Sequence, residues 1–228
     1  MIRAAACLCL CAMGLAAQSH DWMIVPGERV GPITRDSTLD SLEKDFGAEN
    51  VHSEVVNSGY TIASAVVYLV SPSRALSVVW DSRAEGAHPA RIVVCYRDPS
   101  LDQAIAMERQ MPEIFPPRAH PWDVAKACEW KTKEGITVGA TLQELEHLNG
   151  RPFIIMGFGW AQGGKVVSWN GRLLEAIQTP GLDLQLTEGR SSLEDRRQVM
   201  GNRSYSSDNS LMRAVAPKVS FMTIGFPK

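Results

Sequence analysis

The chain has no surplus charge of either sign. Its 23 lysines and arginines nearly balance 25 aspartates and glutamates across 228 residues. It has neither a basic arm nor a basic cluster, so the electrostatic footprint of a nucleic-acid binder is missing. Long hydrophobic runs are also missing, apart from one stretch at the start that is too short to span a bilayer. No long basic amphipathic helix points to a membrane surface. Cysteine is scarce, and no cysteine beyond the first residues has a second Cys or His at ligand spacing, which argues against a metal centre. No motif asks for a cofactor, and nothing forms a complete catalytic signature.

The first residues read as an export signal. Arg3 is the positive end, Ala4 to Leu15 the apolar run, and Gly14-Leu15-Ala16 the small-x-small cleavage site. Cys7, Cys9 and Cys11 lie inside that run, without the context of a lipoprotein cysteine. The reading is therefore a signal peptide over 1–17 and a periplasmic or secreted protein without stable membrane insertion. The alternative, an apolar helix of the mature fold, lacks any polar face. Cleavage leaves Cys95 and Cys128. In an oxidising compartment two cysteines most simply form one bridge, closing a loop of about 34 residues, and the other reading is two buried thiols.

The chain also repeats itself. Ile33-Thr-Arg-Asp-Ser-Thr-Leu-Asp-Ser-Leu-Glu-Lys-Asp-Phe-Gly47 lies over Ile136-Thr-Val-Gly-Ala-Thr-Leu-Gln-Glu-Leu-Glu-His-Leu-Asn-Gly150 with seven of fifteen positions identical. Such a match predicts duplicated architecture. Each copy spells a short helix with a cap, an apolar stripe (Leu39, Leu42, Phe46; Leu142, Leu145, Leu148) and a terminal glycine. Thr141 with Glu144 makes a capping box, and Ser37 with Asp40 a weaker version of it. Four prolines in Met111-Pro-Glu-Ile-Phe-Pro-Pro-Arg-Ala-His-Pro121 forbid regular helix and mark a linker. Thr61–Val70, Ala75–Trp80 and Ala90–Tyr96 before it, and Leu182–Thr187 and Val219–Phe226 after it, have strand composition. The expected fold is α+β: two homologous modules at 18–110 and 122–228, each a short helix on an antiparallel sheet, joined by the linker 111–121. The Ser-, Arg- and Asp-rich stretch 189–210 is expected to be a mobile loop.

The pattern Gly135-Ile-Thr-Val-Gly139-x-Thr141-x-x-x-Leu145, closed by Asn149-Gly150-x-Pro152, resembles the signature of the BamE/SmpA outer-membrane assembly lipoproteins. The duplicated layout is similar to the tandem modules of the β-lactamase inhibitor protein, and the run through Gly157-Phe-Gly-Trp160 resembles exported bacterial proteins without an assigned role. The resemblance implies a helix-plus-sheet fold with protein binding as the common theme.

Phe153–Trp160 and Lys165–Trp169 flank Ala161-Gln-Gly-Gly164 and predict a hairpin. With Gly163-Gly164 as the turn, Phe158 faces Trp169, and Phe158, Trp160 and Trp169 cluster across the ladder. The cluster is either core or an exposed platform for a protein or a sugar. Other patterns imitate active sites. Ser41-Leu-Glu-Lys44 with Ser207-Asp-Asn209 matches two of three motifs of serine β-lactamases, and the third, Lys-Thr-Gly, is absent. Glu144-x-x-His147 has the spacing of di-iron bundles, which need a second copy, and the duplicate helix supplies Ser41 and Lys44 instead. The functional expectation is an exported, non-enzymatic binding module for a protein or wall component, with Phe158, Trp160 and Trp169 as its anchors. The alternative is a periplasmic hydrolase whose site is assembled from residues far apart in sequence.

Overall fold

Short apolar runs broken by glycine and proline give short strands, and the computed structural model describes residues 21–57, 61–67, 72–80, 88–95, 128–172, 174–178, 181–189 and 191–227. The signal segment and the Pro-rich linker lie outside the described residues. The protein is α+β. Its first half carries β1 (Met23–Val25), β2 (Arg29–Val30), β3 (Ile33–Thr34), α1 (Leu39–Phe46), β4 (Val51–Asn57), β5 (Thr61–Val67), β6 (Leu76–Trp80) and β7 (Pro89–Val94). The second half carries β8 (Lys131–Thr132), α2 (Leu142–Asn149), β9 (Ile154–Met156), β10 (Val166–Ser168), α3 (Glu175–Gln178), β11 (Leu182–Thr187), α4 (Leu193–Gln198), β12 (Ser204–Ser206), α5 (Ser210–Val215) and β13 (Lys218–Gly225).

The principal sheet has six antiparallel strands in the order β11-β13-β7-β6-β5-β4, so strands of both halves share it. The halves meet where β13 pairs with β7, with Met222 opposite Val94 and Ile224 opposite Ile92. A bridge from Lys165 to Gln185 continues the order from β11 to the small sheet β10-β9-β12. From the β4 edge inward the first half runs β4, β5, β6, β7, and from β9 inward the second runs β9, β10, β11, β13. In each half a helix precedes these strands.

The helices are capped as their sequences require. Thr141 accepts from the N–H of Glu144 at 3.2 Å, and Glu144 accepts from the N–H of Thr141 at 2.7 Å. In α1 the cap is Thr38 with Ser41, in place of Ser37 with Asp40: the Ser41 hydroxyl reaches back to the Thr38 N–H at 2.9 Å and does what the glutamate does in the other copy. Gly150 ends α2 in the left-handed region. Leu42, Phe46, Leu142 and Leu145 are buried, Leu148 is half-buried, and Leu39 is exposed. Helix α1 lies against β4 and β5. Helix α2 is held in its own half by a bridge from Thr141 to Lys218 and by Asn149, fully buried, whose amide donates to the Trp169 carbonyl at 3.0 Å.

The start of the second half is strapped to the first. Cys95 and Cys128 are disulfide-bonded, 33 residues apart in sequence with Cα atoms 5.9 Å apart. Glu129 accepts from the Ser73 hydroxyl and pairs with Arg74, each at 2.8 Å. Trp130, fully buried, donates its indole N–H to the Arg74 carbonyl and meets Trp22 edge-on at 5.0 Å. Gly31 is required beneath that ring: its φ is +56°, and a Cβ there would sit 3.0 Å from both the Asp21 carbonyl and the indole.

Residues 191–210 hold helix and strand and are not a long loop. Ser192 caps α4, Asn209 caps α5, and β12 between them pairs Tyr205 with Ile155. Two of the loop-type residues, Ser192 and Asn209, are helix caps, and Val199 with the half-buried Tyr205 fixes the segment on the core.

Candidate functional site

The aromatic residues singled out from sequence divide. Phe158 and Trp169 are each only 2% exposed and belong to the core. The hairpin exists, with β9 antiparallel to β10, but its register sets Val166 opposite Ile155, which takes Phe158 off the ladder facing Trp169. Phe158 instead donates its N–H to the Val199 carbonyl at 2.9 Å and bridges to Met200, while Trp169 packs on Phe153. The cause is the turn. Gly164 turns early, donating to Met156, and its positive φ and lack of Cβ let the Leu186 backbone approach to where a Cβ would lie 1.9 Å away. Trp160 is half-buried and spends its indole N–H on the Gly157 carbonyl at 2.9 Å. The expected three-ring platform is therefore corrected to one partly accessible ring.

The motif imitations have structural occupations. The Ser41 hydroxyl closes the α1 capping box, accepting from the Thr38 N–H and donating to the Thr38 carbonyl. Ser207, fully buried, accepts from the Phe153 N–H at 3.0 Å and donates to Glu146, which also pairs with Arg213. Asn209 is a helix cap. Glu144 sits in its capping box, where the Thr141 N–H and then its hydroxyl hold the carboxyl below the usual carboxylate range, against a smaller opposing effect of burial. His147 is exposed. Among the described residues no group of three His, Cys, Asp or Glu is arranged to hold a metal ion, and no helix is long and apolar enough to cross a membrane.

What the strands do assemble is a two-faced sheet. Leu184, Met222, Val94 and Leu76 form one cross-strand row, and Leu182, Ile224, Ile92 and Val78 the next, all buried. The alternate residues form rows on the other face: Asp183, Thr223, Val93 and Ser77 in one, Gly225, Arg91 and Val79 in another, and Gln185 opposite Phe221 in a third. These are half-buried or exposed, as the two-residue period of a strand demands when one face is core. The accessible face bears a depression of about 220 Å³ lined by Arg91, Gln162, Lys165, Asp183, Gln185, Phe221 and Thr223.

Its rim is built from main chain and polar side chains. Gln185 donates to the Gly163 carbonyl at 2.7 Å, which fixes the β9–β10 turn over the end of β11. Lys165 pairs with Asp183 at 3.4 Å, and because both side chains are about half exposed the pair contributes little to stability and stays available to a ligand. One aromatic ring, a guanidinium, an amide, a hydroxyl and an exposed ion pair can contact a ligand through apolar and hydrogen-bonding groups at once. Sequence reasoning passed over this face because it ranked residues by aromatic size. The alternation in Leu182-Asp-Leu-Gln-Leu-Thr187 carries the signal, since it marks Asp183 and Gln185 as facing away from the core.

No family model, no curated protein and no solved structure matches this chain.

Proposed function

We propose that this chain is an exported bacterial binding module, non-enzymatic, that takes a protein or cell-wall component on the accessible face of its six-stranded sheet. The observation that carries the reading is the cross-strand row Asp183, Thr223, Val93, Ser77, which keeps polar and small groups outward while its neighbouring rows close the core. Across β11, β13, β7 and β6, strands about 4.8 Å apart make a face roughly 15 Å wide. The signal-like leader and the bridged cysteine pair support export, and the likeness of the helix motif to outer-membrane assembly and inhibitor modules supports protein binding. Phe221 replaces Trp169 as the anchor, with Gln185 opposite it and Arg91 lining the same depression.

The test compares wild type with Phe221→Ala and Arg91→Glu for capture of components from envelope extract, with thermal unfolding run in parallel. Capture weakened by more than about 1 kcal/mol in each variant, at nearly unchanged melting temperature, supports the reading. Capture indifferent to both substitutions contradicts it, as does turnover of ester, peptide, glycoside or β-lactam substrates by the purified protein.

A further inference from the structure

Most polar groups around the depression on the sheet face are unspent. Gln185 gives its amide N–H to the Gly163 carbonyl and leaves Oε1 unused, while the Arg91 guanidinium, the Gln162 amide and the Thr223 hydroxyl make no side-chain hydrogen bond or ion pair with the rest of the chain. The placement of Arg91 has a cause in the ladder. Its partner across the β13–β7 pair is Gly225, which has no side chain, so Arg91 lines the same depression as Asp183 and Gln185 of β11, across the width of β13. We propose, resting on the sheet-face reading, that this depression binds an acidic saccharide, with the hydroxyls of one sugar ring on Asp183, Gln185 and Thr223 and its carboxylate on Arg91.

The mixture of groups selects the ligand. Asp183 accepts hydrogen bonds, Arg91 and Lys165 donate them, and Gln162, Gln185 and Thr223 each do both. A polyol, in which every hydroxyl donates and accepts, uses such a set fully, whereas an apolar ligand covers it without a partner. Charge then narrows the class. Two cations line the depression against one carboxylate, and because Lys165 is paired with Asp183, the surplus positive charge falls on Arg91. A guanidinium takes a carboxylate through two parallel hydrogen bonds, which an ammonium does not offer.

Size and topology narrow it further. At about 220 Å³ the space lies below the roughly 300–1,000 Å³ of sites that enclose a drug-sized molecule, so it takes a single ring. Leu184 and Phe221 supply the apolar part of the lining, against which the C–H face of that ring can rest. An extended peptide gains less here. Strands β13 and β7 beneath the depression are paired on both sides, so they offer no free edge for strand addition.

The experiment is an amide chemical-shift titration with three probes: methyl β-D-glucuronide, methyl β-D-glucoside, which lacks the carboxylate, and cyclohexanecarboxylate, which lacks the hydroxyls. The glucuronide is expected to give saturable shifts at Arg91, Asp183, Gln185 and Thr223, with a Kd about ten-fold or more below those of the other two probes. Arg91→Gln is expected to bring the glucuronide Kd up to that of the glucoside. Thr223→Val, which keeps the shape of the side chain and removes its hydroxyl, is expected to weaken both sugars at an unchanged melting temperature. Glucoside binding as tightly as the glucuronide, or a glucuronide preference that survives Arg91→Gln, overturns the acidic group. Cyclohexanecarboxylate binding as tightly as the glucuronide, sugar binding indifferent to Thr223→Val, or no saturable shift overturns the saccharide. If capture from envelope extract still depends on Phe221 and Arg91 when no sugar shifts are seen, the sheet-face reading stands and this proposal alone fails.

Discussion

The indole of Trp169 lies against the phenyl ring of Phe153, with ring centroids 4.6 Å apart and planes inclined by 46°, and both rings are buried. The contact joins the residue before β9 to the residue after β10, and Asn149 ties the same point to the end of α2. Trp169→Ala is therefore expected to destabilise the fold by about 3–5 kcal/mol, as large core truncations do. Denaturant unfolding measures it, and a loss below about 1 kcal/mol would show that the ring is not core.

The Cys95–Cys128 bond closes a loop across the boundary between the halves, and the Trp130 strap depends on the same segment. Reduction, or the paired change Cys95→Ser with Cys128→Ser, is expected to cost about 3–4 kcal/mol by loss of loop-closure constraint. Alkylation followed by mass measurement is expected to label two more thiols after reduction than before it. Both thiols reacting in the native, unreduced protein would contradict the bond.

Ser207 serves two partners from a fully buried position, the Phe153 N–H and the Glu146 carboxylate. Ser207→Ala leaves the Phe153 N–H without an acceptor and takes one of two partners from Glu146, which keeps Arg213, and is expected to cost about 1–3 kcal/mol. The accompanying sign is faster hydrogen exchange at the Phe153 amide, which the substitution leaves without an acceptor.

The Glu144 carboxyl is held below its ordinary pKa in the folded protein by the Thr141 N–H and hydroxyl. A carboxyl depressed on folding stabilises the fold above its unfolded pKa, and the contribution disappears as pH falls through the lower folded value. The stability gap between wild type and Glu144→Gln is thus expected to be widest near neutrality and to close below about pH 4. Thr141→Ala removes the other half of the box, at about 1 kcal/mol. A gap that grows on acidification would contradict the assignment.

Much of the fold was legible in the sequence, and for identifiable reasons. Leu182–Thr187 alternates strictly and forms β11 with the same bounds, and Thr141 with Glu144 spells its cap at the three-residue spacing of a capping box. The short strands β1 to β3 carry too few residues to display a period, and 189–210 hid a helix and a strand because its capping residues are also loop residues. The site was harder to read. Register decides which residues share a face, and a turn set by Gly164 moved Phe158 off the ladder, whereas Arg91 joins Thr223 and Asp183 only through the β13–β7 pairing between the two halves.

The most direct measurement of the central claim is site-specific photo-crosslinking in the native envelope. A photoreactive residue replaces Thr223 on the accessible face or, as a control, Arg197 on the exposed surface of α4. The account predicts a discrete adduct from position 223, absent from position 197 and lost when Phe221→Ala is added. Adducts of equal yield from both positions, or none from 223, would contradict a binding function for the sheet face.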